Sequence, residues 1–141
     1  MTNLTSRLLV LVLVSLLAAC GSVGHKRSPR DAMLYEYVSA VRWSDFDRAV
    51  GFVDPLTLAS DPVDPIELER FKQFQVTGYD VRTSVEPAPG QYEQVVEIRM
   101  VNRHTQAEKF LVDRQRWRWD ETGKRWWLVS GLPDLDDLQT R

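Results

Sequence analysis

One cysteine in 141 residues rules out an internal disulfide, so nothing covalent staples this chain. Histidine is nearly as scarce. His25 and His104 are the only two, and neither sits in the spacing of a metal site. There is no Gly-rich phosphate loop, no Gly-x-Ser-x-Gly elbow and no plausible Ser/His/Asp set. A surplus of positive charge is missing too. The formal net charge is −2, with 18 Lys and Arg against 20 Asp and Glu, which argues against a nucleic-acid binder. No metal and no cofactor is expected, and both histidines read as plain surface groups. What is left is an ordinary globular composition, 43% apolar and 27% charged, on a chain of about one domain's length.

An apolar run long enough to span a bilayer is also lacking. Residues 8–17 are apolar apart from Ser15. Ten residues rise only about 15 Å as a helix, half of a hydrocarbon core of roughly 30 Å. With Arg7 ahead and small residues behind, the run has the form of a secretory signal. Its end, Leu17-Ala18-Ala19-Cys20, resembles the bacterial lipobox. That resemblance implies a leader over residues 1–19, cleaved to leave Cys20 as an acylated first residue. Several acyl chains hold well beyond the marginal grip of one. Gly21 stands where many inner-membrane lipoproteins of Gram-negative bacteria carry Asp, so the likeness implies a periplasm-facing anchor with the outer membrane favoured. Residues 20–30, rich in Gly, Ser, Lys, Arg and Pro, read as a lipidated tether.

The globular part begins with a helix. After Pro29-Arg30-Asp31, Leu34, Tyr37, Val38 and Val41 recur at steps of three and four. Trp43-Ser44-Asp45 interrupts it, and Ser44 is a candidate cap for a second helix with the stripe Phe46, Ala49, Val50 and Val53. Asp54-Pro55 ends that helix, since a residue before proline is pushed out of the α region. Residues 54–65 contain Asp-Pro three times and read as a rigid surface loop. Its prolines break the ligand alternation of a calcium loop, and no glycine sits where the turn needs one. The last Asp-Pro opens a short helix, with Asp64 as cap, Pro65 first and Glu67 the box partner.

From Phe71 the period becomes two. Residues 74–85 form a strand that changes face at Gly78, where a bulge is expected. Strands over 92–102, 108–120 and 125–130 follow, and the acidic residues 134–141 read as a loosely held tail. Opposite charges fix the last hairpin. With Thr122-Gly123 at its tip, Glu121 meets Lys124 and Asp120 meets Arg125. Trp119 then faces Trp126, and Trp117 faces Leu128. One face of the third strand carries Asp113, Gln115, Trp117 and Trp119, with Trp126 across from it, as a possible pocket. The other carries Arg114, Arg116 and Arg118, with Trp127 placed for cation–π contact among them, as a possible partner surface.

Helices followed by four long antiparallel strands resemble the NTF2-like (cystatin-like) α+β fold. The likeness rests on "RWSDFDRAVGFVDP" (42–55) and "FLVDRQRWRWDETGKRWWLVSGLP" (110–133), and covers most of residues 31–133. It implies a curved sheet around a helix with a cone-shaped pocket, as in uncharacterised proteobacterial lipoproteins of that superfamily. Members include isomerases and dehydratases as well as binding modules, so fold alone does not decide function. The expectation is a non-enzymatic binding or scaffold module of the cell envelope. It would be joined to the membrane by lipid and serve an envelope protein or a second copy of itself. The rival is a pocket enzyme using Asp113 as general base, its pKa raised beside tryptophans.

Overall fold

A computed structural model describes residues 27–140. The leader, Cys20, His25 and most of the expected tether lie outside them. Four helices and a five-stranded antiparallel sheet make an α+β domain, with the helices packed against one face of the open sheet.

Helix α1 (Pro29–Arg42) starts two residues inside the expected tether, because Ser28 and Pro29 form a cap and first-turn pair. Ser28 Oγ accepts from the Asp31 N–H at 3.1 Å. Tyr37, Ala40 and Val41 are buried along its inner stripe, with Met33, Leu34 and Val38 packed beside them. The break after α1 works differently from the expected Ser44 cap. Ser44 adopts φ +59°, and its hydroxyl accepts from the Val76 N–H at 2.9 Å, tying the break to the first strand. Asp45 caps α2 (Phe46–Val50) instead, accepting from the Arg48 N–H at 3.1 Å. A carboxylate is the stronger acceptor, which leaves the hydroxyl free for the sheet.

The expected surface loop at 54–65 is partly helical. Asp54 and Pro55 start helix α3 (Pro55–Ser60), Asp54 accepting from the Leu56 N–H at 2.9 Å. The same chemistry starts α4 (Pro65–Phe71), where Asp64 accepts from Ile66. Asp-Pro therefore opens helices at both places rather than closing one. Phe71 closes α4 by stacking on Phe46, with centroids 3.9 Å apart.

The sheet runs in order β1 (Phe74–Val85), β2 (Gln91–Asn102), β3 (Glu108–Asp120) and β4 (Arg125–Leu128), each antiparallel to its neighbour. Register shifts lie between Val76 and Gly78, the expected bulge, and between Val81 and Thr83. Gly78 leaves room for the Arg99 guanidinium, which crosses it to reach Asp80 at 2.8 Å. The β3–β4 hairpin has the register read from the sequence: Trp117 opposite Leu128, Trp119 opposite Trp126, Asp120 opposite Arg125.

The acidic tail is fastened, against expectation. Leu135 is buried in a 3-10 turn (Leu135–Asp137), Asp136 pairs with Arg70 at 2.7 Å, and β5 (Gln139–Thr140) adds to β3 at Lys109 and Phe110. Leu135 and Leu138 are the reason. They are the tail's apolar residues, and the core takes both.

Candidate functional site

Strand β3 keeps strict alternation, and β2 pairs with it without a register shift. Leu111, Asp113, Gln115 and Trp117 therefore share the inner face with Gln94, Val96 and Ile98, and all are buried. Three of these, Asp113, Gln115 and Trp117, belong to the candidate set, and each is polar or carries a polar handle. The polar atoms of Asp113 and Gln115 meet those of Gln94 in one network.

The network has a direction. Tyr92 Oη donates to Gln94 Oε1 at 3.3 Å. Gln94 Nε2 donates to Gln115 Oε1 at 2.6 Å, and the Tyr79 hydroxyl donates to the same oxygen at 3.1 Å. Gln115 Nε2 then donates to Asp113 Oδ2 at 2.6 Å. Each donor on this path leans toward Asp113, which ends it. No arginine or lysine among the described residues takes part. Burial pushes the Asp113 carboxyl up to about 6, with the Gln115 hydrogen bond pulling the other way. Burial also raises the Tyr79 hydroxyl.

Helix α1 covers this floor. The Tyr37 ring stands edge-on to Trp117, centroids 5.2 Å apart, and edge-on to Phe52 at 5.7 Å. Tyr37 is 0% exposed, Trp117 2% and Asp113 8%. Tyr37 Oη and Trp117 Nε1 have no hydrogen-bond partner among the described residues. Burial raises the Tyr37 hydroxyl strongly, and the nearby Asp113 charge adds to the rise. An unpaired buried donor costs about 1–3 kcal/mol. The centre of the inner face is thus packed, polar and partly unsatisfied.

Trp119 and Trp126 share the inner face but not this floor. Six residues of strand, about 20 Å, separate Trp119 from Asp113. The two indoles tilt against each other, centroids 5.9 Å apart and both half-buried. With Ser28, Pro29, Arg30 and Gly90 they line a cleft of about 360 Å³ at the start of α1. Gly90 needs its φ of +75° for the turn before β2, and its carbonyl accepts from the Trp119 N–H at 2.8 Å.

The outer face of β3 divides as well. Arg114 and Arg116 are exposed and border a cleft of about 370 Å³ with Val85, Glu93 and Val95. Arg118 is committed elsewhere. Its Nη2 and Nε reach Asp54 Oδ2 at 2.6 and 3.2 Å. Asp54 arrives there because residues 52–54 run along the free edge of β4: the Asp54 N–H donates to the Leu128 carbonyl at 2.8 Å, and the Leu128 N–H donates to Phe52 at 2.9 Å. Trp127 does take a cation, but from its own strand rather than from β3. The Arg125 guanidinium lies 3.7 Å from the ring centroid, and Trp127 Nε1 donates to Asp120.

Sequence reasoning missed Gln94, Tyr37 as a polar group and Asp54 as a paired carboxylate. Gln94 shares the parity of Val96, Ile98 and Met100, so its inward aim was legible. The Asp54–Arg118 pair spans 64 residues, and nothing local announces it. His104 lies in the β2–β3 turn, where the Asn102 side chain accepts from its N–H at 2.9 Å. Among the described residues no group of three or more His, Cys, Asp and Glu is arranged to hold a metal ion. No helix among them is long and apolar enough to cross a membrane. The chain matches no known family model, no curated protein and no solved structure.

Proposed function

We propose that this chain is a lipid-anchored, periplasm-facing binding or scaffold module of the bacterial cell envelope, on an NTF2-like (cystatin-like) domain. Its molecular work is contact with another envelope component rather than turnover of a substrate. One observation carries the non-catalytic half. The side chains that would floor a pocket, Asp113, Gln115 and Trp117, are at most 8% exposed, with Tyr37 packed edge-on against Trp117. A general base has to come within hydrogen-bond reach of the proton it takes. The lipid anchor is supported by Leu17-Ala18-Ala19-Cys20, and the fold family by element order and aromatic placement.

Two measurements test this reading. Metabolic labelling with an alkyne fatty acid should tag the full chain and leave the Cys20→Ser variant untagged; equal labelling of both would remove the anchor. Crosslinking in intact cells should trap a discrete envelope component, lost when Arg114 and Arg116 are changed to Glu. An unchanged product would move the partner surface off the outer face of β3.

A second reading, a small-molecule enzyme of isomerase or dehydratase type with Asp113 as base, draws on a different observation. Asp113, its carboxyl raised to about 6 by burial, ends a buried network and lies near the unpartnered Tyr37 hydroxyl. A small carbonyl compound that raises the Tm of the native chain but not of Asp113→Asn would favour this reading over the first.

A further inference from the structure

We propose that the end of the domain where α1 begins is a membrane-contacting surface, with Trp119 and Trp126 seated at the headgroup–acyl boundary of a phospholipid bilayer. This rests on the acylated Cys20 put forward above. Two open clefts flank the first turn of α1, and Pro29 lines both. The Trp119–Trp126 cleft is one. The second, about 610 Å³, is lined by Met33, Phe52 and Tyr35 together with Arg27, Lys124 and Arg125. Tyr35 is 55% exposed. The indoles and the Tyr35 ring are amphipathic bodies of the kind that settle at a membrane–water interface, one end apolar and the other wet.

Chain length supplies the second argument. The described residues start at Arg27, on the rim of the second cleft. Six residues lie between Cys20 and Arg27, seven steps of chain, so an acylated Cys20 holds this end within about 25 Å of the bilayer. The opposite end of α1, where Trp43 is 82% exposed, lies about 21 Å further along the helix axis. Such a leash keeps the effective concentration of membrane at the near end high, so weak aromatic contacts suffice for docking.

Charge does not drive the contact. Each cation at this end is already engaged: Arg30 pairs with Asp31 at 3.1 Å and with Glu86, Lys124 pairs with Glu121 at 2.8 Å, and Arg27 and Arg125 lie over the Tyr35 and Trp127 rings at 4.2 and 3.7 Å from their centroids. The partner is therefore the bilayer interface itself, and neutral phosphatidylcholine is the appropriate probe.

The test uses the full acylated chain in phosphatidylcholine vesicles, with and without bromine on the upper acyl carbons. Brominated lipid should dim the tryptophan emission of the native chain, and the Trp119→Phe/Trp126→Phe chain should lose most of that dimming while still floating with the vesicles. Iodide in the aqueous phase gives a readout that needs no variant: vesicle binding should shield the native emission from it. Flotation with no dimming and no shielding overturns the surface alone and leaves the anchor standing. Failure to float overturns the anchor, and this surface with it.

Discussion

Asp54 and Asp113 are both buried carboxylates, 3% and 8% exposed, and they are housed in opposite ways. Asp54 sits on the β4 side of the sheet, where one oxygen caps α3 and the other takes two nitrogens of Arg118. Asp113 lies at the centre of the inner face, where its hydrogen-bond partner is a neutral amide. Burying a charge is costly unless it is paired and hydrogen-bonded. Asp54 meets both conditions and acts as a clamp between helix and hairpin. Asp113 meets one, and keeps its proton up to about pH 6 instead. A residue that costs stability and yet stays in the core invites a functional explanation, which is why the enzymatic reading keeps a place beside the binding one.

Breaking the clamp should have the largest effect. Asp54→Ala removes the cap of α3 and strands the half-exposed Arg118 against the sheet, and we expect a loss of about 3 kcal/mol in urea unfolding. Asp54→Asn keeps a capping oxygen and should lose roughly half as much.

Neutralising the other carboxylate should work in reverse. Asp113→Asn still accepts from Gln115 but carries no charge, so it should gain about 2 kcal/mol at pH 7.5. The sign follows from proton linkage. The folded chain binds this proton more tightly than the unfolded one, whose carboxyl titrates near 3.8. Stability supported by the neutral carboxyl is therefore complete below about pH 4 and is lost as pH rises through about 6. Unfolding curves of the two chains should coincide at pH 3.5 and diverge by pH 7. Curves that stay parallel across that range would mean Asp113 has no raised pKa.

Tyr37→Phe sharpens the contrast further. It deletes the unpartnered hydroxyl while keeping both edge-on ring contacts, and should gain about 1 kcal/mol. A loss instead would show that the hydroxyl is satisfied in solution. The smallest effect belongs to a site remote from both carboxylates. A double-mutant cycle on Trp119 and Trp126 to Ala should return a coupling of about 0.5–1 kcal/mol, as for a tilted aromatic pair.

The register of the β3–β4 hairpin was legible because its information is local. Glu121, Lys124, Asp120 and Arg125 bracket a four-residue turn, and the alternation along β3 then assigns every residue to a face. Asp113 was likewise readable as inward-facing. Its lack of a cationic partner was not, because that depends on which side chains α1 and the tail bring over it. Asp54-Pro55 misled for a related reason. The dipeptide is compatible with ending one helix or starting another, and the β4 edge beside it decides which.

The tail makes the same point at larger scale. Its composition is acidic, yet Leu135 and Leu138 find room against the core and carry the intervening aspartates with them. Periodicity, caps and cross-strand charge pairs are nearest-neighbour physics, and from them the sequence determined α1, α2 and α4, the strand order, the bulge at Gly78 and the two faces of β3. Tertiary structure alone decided which buried polar groups meet a distant partner: Asp54 with Arg118, Gln94 with Gln115, and Tyr37 with none among the described residues. Pairing over tens of residues depends on where whole elements dock, and a local pattern does not hold that distance.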